Sequence, residues 1–193
     1  MTARIAAVVL AAGCARRMGH DKRLAEIGGV PMVALAVRAA QGAGLAPVVV
    51  VTGARPLTVL PPGVAAVVNP APERGMASSL ATGVAALAAD IDAVVVLLAD
   101  MPRVAAAHVA ALAAAFDPAS GRDICVPVAA GRRGNPVLLG RRWFPRLLEL
   151  SGDRGARGLI EANPAAVAEV ELDDAVLTDV DTPADLAALE GRR

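Results

Sequence analysis

Residues 7–24 read AVVLAAGCARRMGHDKRL, and this stretch decides which fold the chain adopts. Its apolar run breaks at Gly13 into a basic loop that contains Lys22, the only lysine among 19 basic residues. An apolar run of this kind is typical of a buried strand in a parallel sheet. If the strand ends at Leu10, the backbone N–H groups that follow can face a phosphate at the sheet edge. The stretch therefore predicts a phosphate-binding loop, and the alternative is a solvated basic turn.

Short valine- and isoleucine-rich runs recur along the chain, separated by longer alanine- and leucine-rich segments. This alternation predicts an α/β fold with a doubly wound, mostly parallel sheet flanked by helices, that is, a Rossmann-like fold. We expect one domain over residues 1–193, with residues 118–160 as a lobe that faces the substrate. The strands are predicted near 4–10, 46–52, 64–68, 93–98, 123–128, 135–139 and 166–171, and the helices near 31–42, 77–89, 104–116, 142–150, 155–162 and 183–190.

The composition restricts the classes of partner. Hydrophobic residues make up 55% of the chain, aromatic residues only 2%, and the formal net charge is zero. A neutral chain with few aromatic side chains is a poor match for nucleic acid or an anionic membrane, so any anion site must be local. Cys14 and Cys125 lie far apart and form no C-x-x-C pair, which indicates neither a zinc site nor a disulfide framework. The short apolar run at the amino terminus predicts neither a spanning helix nor a leader, and we expect a cytoplasmic protein.

Two common phosphate loops do not fit the first loop. The dinucleotide pattern G-x-G-x-x-G would need glycine where Ala15 stands, and the P-loop needs Gly-Lys-Ser/Thr, whereas Lys22 follows Asp21. Arginine holds a fixed fork, but lysine is a compact charge that can follow a phosphoryl group as it moves. A role of that kind would explain the single lysine.

Six segments, in order, resemble the MobA-like nucleotidyltransferases, and most closely their molybdenum cofactor cytidylyltransferase branch. The resemblance covers nearly the whole chain. The segments are LAAGCARRMGHDKRLAEIGGVP (10–31), NPAPERGMASSLATG (69–83), LLADMP (97–102), GRRGNPVLL (131–139), SGDRGARGLI (151–160) and DVDTPADL (179–186).

The resemblance implies an enzyme that transfers a nucleoside monophosphate from an NTP to a phosphate-bearing acceptor, with Mg²⁺, and releases pyrophosphate. Arg17 and Lys22 would hold the triphosphate, and with Asp100 they are the predicted catalytic residues. The loop residues Leu10, Ala11, Ala12 and Gly13 would bind the nucleotide. Ala15 replaces the glycine or serine that is usual in the family pattern.

Two distant aspartates are the predicted metal ligands. Asp100 follows the apolar run AVVVLLAD and should lie at the carboxyl end of a strand. Asp181 precedes Thr182, Pro183 and Asp185, which together can cap a helix without it. Two carboxylates with water and phosphate oxygens suit Mg²⁺, and by resemblance both would ligate it. The alternative is that both aspartates are turn residues, as we expect for Asp179.

The segment RGMASSLATG should open a helix beside the nucleotide. By resemblance, Ser79 contacts the base region and Gly75 allows close approach, whereas Ser78 is expected only to cap the helix. Family members that use CTP tend to read L-A-A-G and those that use GTP L-A-G-G, so Ala12 favours CTP.

The acceptor is expected to lie against GRRGNPVLLG and SGDRGARG, whose arginines could bind an anionic group. The predicted acceptor-binding residues are Asn135, Asp153 and Arg157. Asn135 stands where the family pattern has histidine, and Leu139 where it has an aromatic residue. His20 and His108 are expected to be structural or solvated.

The leading hypothesis is transfer of CMP from CTP to molybdopterin, with the product passed to a molybdoenzyme. Transfer of GMP from GTP to the same cofactor, or of a nucleotide to another small phosphorylated acceptor, remains open. A carrier that binds the cofactor without catalysis is the alternative from another class of protein. The combination of Lys22, Asp100 and Asp181 argues against it, because a carrier would not need a metal site.

Overall fold

The computed structural model describes residues 3–13, 24–54, 57 and 60–190 of the chain. The strands in these residues are β1 (Ile5–Ala11), β2 (Glu26–Ile27), β3 (Val30–Pro31), β4 (Val48–Thr52), β5 (Val64–Val68), β6 (Ala93–Leu98), β7 (Ile124–Ala129), β8 (Arg132–Arg133), β9 (Val137–Gly140) and β10 (Val167–Glu171). The α-helices are α1 (Met32–Gly42), α2 (Met76–Ala85), α3 (Ala106–Ala114), α4 (Phe144–Leu148), α5 (Arg157–Ala162) and α6 (Pro183–Glu190).

The main sheet has the strand order β10-β7-β9-β6-β1-β4-β5, with β8 paired to β7. β1 lies in the middle and pairs in parallel with β6 on one side and β4 on the other, so that Val8 is opposite both Val96 and Val49. β4 with β5 and β7 with β10 are also parallel pairs. The predicted mostly parallel, Rossmann-like sheet is confirmed.

One predicted strand runs against the others. β9 pairs antiparallel with both β6 and β7. Only residues 130–136 separate β7 from β9, fewer than the dozen or so that a parallel crossover needs, so the chain must turn back. As a result β9 begins at the edge of the sheet where β6 and β7 end.

Helices cover both faces of the sheet. Along β1, Ala6 and Val8 face the cluster that contains residues of α2, α4 and α5, whereas Ala7 and Val9 face the cluster that contains residues of α1 and α3. This alternation is the two-residue period of a strand with two buried faces. Trp143, directly before α4, belongs to the first cluster, and its indole N–H donates to the buried carboxylate of Asp123 (3.0 Å).

A smaller third cluster joins two distant parts of the chain. Ala25, Met32 and Val180 are its buried members, and Ile27, Leu186 and Leu189 pack against them. The β2–β3 hairpin is therefore packed against α6 and the residue before Asp181. No helix in the described part of the chain is both long and apolar enough to span a membrane.

Gly83 sets how closely α2 approaches the sheet. A Cβ at this position would lie 2.4 Å from Cγ1 of Val8 and 2.9 Å from Cγ2 of Val51.

We expect Gly83→Ala to lower the free energy of unfolding by about 1–3 kcal/mol, because extra volume in a packed core forces neighbouring side chains to move. Urea unfolding measures the change. The matched control is Gly158→Ala in α5, where a Cβ meets nothing within 4 Å, and it should gain up to about 1 kcal/mol from helix propensity.

Candidate active site

The loops after β1 and β6 lie side by side at the carboxyl edge of the sheet. Leu10 pairs with Leu98, and one residue further on the N–H of Ala99 donates to the carbonyl oxygen of Leu10 (3.2 Å). The predicted nucleotide-binding residues Leu10, Ala11, Ala12 and Gly13 therefore adjoin the turn that contains Asp100. Ala11 and Ala12 are buried, and Gly13 is exposed.

Asp100 and Asp181 are brought together although 80 other residues separate them. The N–H of Val180 donates to the carbonyl oxygen of Asp100 (2.9 Å), and Asp181 is the next residue. The anchor is firm because Val180 is fully buried in the third cluster. The two predicted metal ligands thus lie on neighbouring stretches of backbone at the edge where β1 ends.

Thr182 and Asp185 form the cap at the start of α6. The hydroxyl of Thr182 donates to Oδ2 of Asp185 (2.8 Å) and accepts from the N–H of Asp185 (3.2 Å). The N–H groups of Thr182 (2.8 Å) and Asp181 (3.1 Å) donate to the same oxygen. The sequence prediction of a cap built from Thr182 and Asp185 is confirmed, and the backbone N–H of Asp181 takes part in it.

The two aspartates suit a divalent cation that also binds phosphate. Among the described residues, no group of three or more histidine, cysteine, aspartate or glutamate side chains could hold a metal alone. Mg²⁺ commonly takes only one or two protein carboxylates and completes its shell with water and substrate phosphates. The carboxylates of Asp100 and Asp181 are of the hard oxygen type that such an ion prefers.

Asn69 organises the start of α2, and the sequence analysis did not single it out. It is buried directly after β5, and its Nδ2 donates to the hydroxyl of Ser79 (3.0 Å). Its Oδ1 accepts from the N–H of Ala71 (2.9 Å) and from the hydroxyl of Ser78 (3.1 Å). An asparagine between an apolar run and a proline was the available signal, because asparagine bonds to backbone nearby.

The two serines are placed differently from the expectation. Gly75, not Ser78, is the N-cap residue of α2, so the prediction that Ser78 caps the helix is wrong. Ser79 lies one residue further into the helix, is 6% exposed, and has its hydroxyl bonded to Asn69. Its predicted contact with the base region stays a prediction.

Gly75 joins two of the segments that carry the family resemblance. It has φ +93°, and a Cβ there would lie 2.4 Å from Oδ1 of Asp153 and 2.7 Å from the backbone of Gly152. The N–H of Ala77 donates to the carbonyl oxygen of Gly152 (3.0 Å). Only glycine permits this approach, which sets the loop before α2 against the loop before α5.

A cavity of about 710 Å³ opens beside these loops. Its apolar wall comes from the sheet, α2 and α5, and arginines line its rim. The predicted residues Leu10, Asn135, Asp153 and Arg157 all line it, whereas Asp100, Asp181 and Ser79 are not among the described lining residues. The lining consists of Leu10, Met76, Leu80, Val96, Leu98, Val126, Arg132, Arg133, Gly134, Asn135, Val137, Asp153, Arg154, Gly155, Ala156, Arg157, Ile160 and Glu161.

Glu161 holds two of the rim arginines. Nε of Arg157 donates to its Oε1 (3.0 Å), and a terminal nitrogen of Arg154 donates to its Oε2 (2.7 Å). The hydrogen bond from Arg157, followed by that from Arg154, lowers the pKa of the Glu161 carboxyl below its usual value. Both guanidinium groups remain exposed at the cavity rim, where they can bind an anion.

Arg17 and Lys22 lie outside the described residues, as do Cys14 and His20. His108 is described: its Nδ1 accepts from the N–H of Ala105 (3.0 Å), and its Nε2 lies 3.2 Å from Oδ2 of Asp173. These bonds agree with the expected structural role of His108. Cys125 is fully buried, and burial followed by the charge of Asp123 raises the pKa of its thiol to about 12.

A doubly wound sheet with two carboxylates and an open cavity at its carboxyl edge defines a Rossmann-like nucleotide-binding protein. The chain belongs to the family of MobA-like NTP transferase domains, whose model matches residues 7–183. It is accordingly a nucleotidyltransferase. The molybdenum cofactor branch is a narrower assignment than this match supports.

Individual relatives agree with the family. The chain is 30% identical to the purine catabolism protein PucB of Bacillus subtilis, with 91% of each chain covered. It is 28% identical to Rv0371c of Mycobacterium tuberculosis, with a TM-score of 0.84 over 99% of this chain and 100% of that one. A structure of Rv0371c in complex with manganese gives 26% identity and a TM-score of 0.78, over 98% of this chain and 100% of that one.

Removing the Asn69 side chain should loosen the start of α2. We expect Asn69→Ala to lower the free energy of unfolding by about 1–3 kcal/mol, since it leaves a buried hydroxyl without its partner. Denaturant unfolding is the measurement. Ser78→Ala is the control. It should lower the free energy of unfolding by less, because the half-buried Ser78 hydroxyl makes only one of the two hydrogen bonds to Oδ1 of Asn69. Equal losses in the two variants would contradict the central role of Asn69.

Proposed function

We propose that the protein transfers CMP from CTP to the terminal phosphate of molybdopterin and releases pyrophosphate, with Mg²⁺ as the metal. The observation that carries the proposal is the convergence of the β1 loop, Asp100 and Asp181 at one sheet edge, beside a cavity rimmed by arginines. A triphosphate and a phosphorylated acceptor can meet at such an edge. The proposal agrees with the family resemblance of six ordered segments.

The reaction brings two anions together. An oxygen of the acceptor phosphate attacks the α-phosphorus, a new P–O bond forms, and the bond to the β-phosphate breaks as pyrophosphate leaves. Positive charge must offset the repulsion before the partners can approach. In the proposed site, Arg17 and Lys22 hold the triphosphate. No side-chain base is required, because a phosphate monoester is largely ionised near pH 7.

Asp100 and Asp181 would hold the metal. A bound Mg²⁺ would neutralise phosphate charge and orient the reacting groups. Divalent metal use is supported by the manganese complex of the relative Rv0371c and by the donor set of two carboxylates. Val180 and the third cluster keep Asp181 on the same edge as Asp100, which is the contribution of the chain itself.

Base selection is assigned to the first loop. Ala12 has a buried methyl group where family members that use GTP tend to have glycine, and this methyl group would crowd a purine. A single methyl group discriminates by about 1–3 kcal/mol. In the proposal, Ser79 and Gly75 border the nucleotide on the α2 side, with Ser79 oriented by Asn69.

The acceptor is assigned to the cavity. Its apolar wall accommodates an organic ring system, and Arg157 on its rim can bind an anionic group. Asn135 and Asp153 line the same cavity and can orient polar atoms of the acceptor. Residues 118–160, which contribute all three, act in the proposal as the acceptor-facing lobe. A molybdoenzyme would receive the product.

The charged residues at the edge should govern turnover rather than folding. We expect Asp100→Asn, Asp181→Asn and Lys22→Ala each to slow pyrophosphate release by about 100-fold or more, since charge stabilisation is worth several kcal/mol and about 1.4 kcal/mol is tenfold. Melting temperatures should change little. The matched control is Asp179→Asn, which removes the same charge two residues from Asp181. Near-normal release by the Asp100 or Asp181 variant would exclude the proposed metal pair.

The base assignment predicts an order of nucleotides. In thermal-shift titrations with Mg²⁺, CTP should raise the melting temperature at lower concentration than GTP or ATP. Ala12→Gly should reduce the preference for CTP over GTP by about tenfold or more, as expected for one methyl group. A preference for GTP in the wild type would overturn the choice of CTP.

Pyrophosphate release across four NTPs, with and without purified molybdopterin, tests the acceptor.

A further inference from the structure

We propose that residues 173–180 form a strap whose contacts with Arg103 and His108 position Asp181 against Asp100 and Asn135 against the cavity. Arg103 and His108 are thus positioning residues for nucleotidyl transfer. The inference rests on the proposed function, because it assigns a purpose to the placement of these groups. It concerns the segment between β10 and α6, which includes a 3₁₀ turn over Asp174–Leu177.

The strap runs antiparallel to the loop between β6 and α3 and to the first turn of α3. Asp100 accepts from Val180, Arg103 contacts Thr178 and Asp174, and His108 in α3 contacts Asp173. As the residue number rises from Asp100 to His108, it falls along the strap. One chain segment is therefore fastened to the other at three successive levels, and the first level is at the predicted metal ligands.

The middle level is a two-point ion pair. One terminal nitrogen of Arg103 donates to Oδ1 of Asp174 (2.8 Å) and the other to Oδ2 (3.1 Å). The second of these nitrogens also lies 3.4 Å from Oγ1 of Thr178. A bidentate pair of this kind fixes direction as well as distance, which a single hydrogen bond does not.

The outer level is the His108 bridge. Because Nδ1 accepts from the backbone N–H of Ala105, the neutral ring holds its hydrogen on Nε2 and donates it to Asp173. The other carboxylate oxygen of Asp173 accepts from the N–H of Ala175 (2.9 Å) at the start of the 3₁₀ turn. The imidazole is 12% exposed and Asp173 is 64% exposed, so the bridge is shielded from water on the histidine side alone. It connects the first turn of α3 to the start of the strap.

The strap also contacts the loop that contains Gly134 and Asn135, beside the cavity. The carbonyl oxygen of Val176 accepts from the N–H of Asn135 (2.9 Å), and Val176 is fully buried. A Cβ at Gly134 would lie only 2.2 Å from the same oxygen, so the loop is pressed against the strap. Displacement of the strap would move a cavity residue and a metal ligand together.

The first test measures local opening of the backbone and needs no substrate. Amide hydrogen exchange, followed by NMR, measures how often the N–H bonds of Val180 and Asn135 open. We expect both amides to exchange about three- to tenfold faster in Arg103→Ala and in Asp174→Ala, with no further increase in the double variant, since paired residues are not additive. The control is Arg4→Ala, which removes an exposed arginine paired with Asp90 at the opposite edge of the sheet. Unchanged exchange in both strap variants would overturn the proposal.

The second test measures metal affinity. Mn²⁺ binding in the presence of CTP, followed by electron paramagnetic resonance, should weaken by about three- to tenfold in Arg103→Ala, less than the 10- to 100-fold typical of groups bonded to metal ligands. Arg103→Lys should restore affinity only in part, because lysine lacks the fork. The proposal would be overturned if Arg103→Ala bound Mn²⁺ as tightly as the wild type and its melting temperature fell only as much as that of Arg4→Ala. The strap would then have a structural role alone.

The two proposals can fail separately. A wild-type protein that releases no pyrophosphate with any nucleotide would overturn the proposed function, yet faster exchange at both amides in Arg103→Ala would still support the strap. Normal pyrophosphate release in the wild type with unchanged amide exchange in both strap variants would overturn the strap alone.

Discussion

Parallel pairing of β1 with both β6 and β4 is the constraint on which the site depends. It brings the carboxyl ends of three strands to one edge, where backbone leaves the ladder and side chains of separate loops can meet. The bond from Ala99 to Leu10 continues this pairing one step beyond the strands. Val180 then adds a fourth segment by bonding to Asp100. The chemistry proposed for the edge follows from this sequence of short backbone contacts.

Backbone contacts connect the proposed nucleotide side of the site to the proposed acceptor side. The backbone of Leu10 bonds to Ala99 on the proposed nucleotide side, and Leu10 also lines the cavity on the proposed acceptor side. Gly75 joins the loop before α2 to the loop before α5 through its missing side chain. Residues 173–180 contact both sides. In the proposed reaction, the two substrates would therefore bind to walls that are joined by these contacts.

The sequence was sufficient for the sheet and for placing Asp100 beside the first loop, because each depends on local pattern, whereas Asp181 was expected there only from the family resemblance. The runs that became β1 and β6 are apolar on both faces, and a parallel sheet then requires that the residues after them lie together. The cap formed by Thr182 and Asp185 could also be predicted, because its two residues lie three positions apart in the sequence. The direction of β9 depends on the short connection over residues 130–136, not on any pattern within the strand. Asn69 had a local signal in the proline that follows it, whereas Arg103 pairs with Asp174, 71 positions away, and no local pattern predicts such a pair.

Trp143 has a consequence for how the molecule can be observed. The chain has one tryptophan and no tyrosine, and this indole is buried beneath α4 with its N–H bonded to Asp123. It shares a core cluster with Ile160, whose side chain also lines the cavity. Intrinsic fluorescence of the protein therefore originates from a single position, in the core cluster that also contains Ile160. Emission wavelength and intensity form an optical signal that reports on that cluster without any added dye.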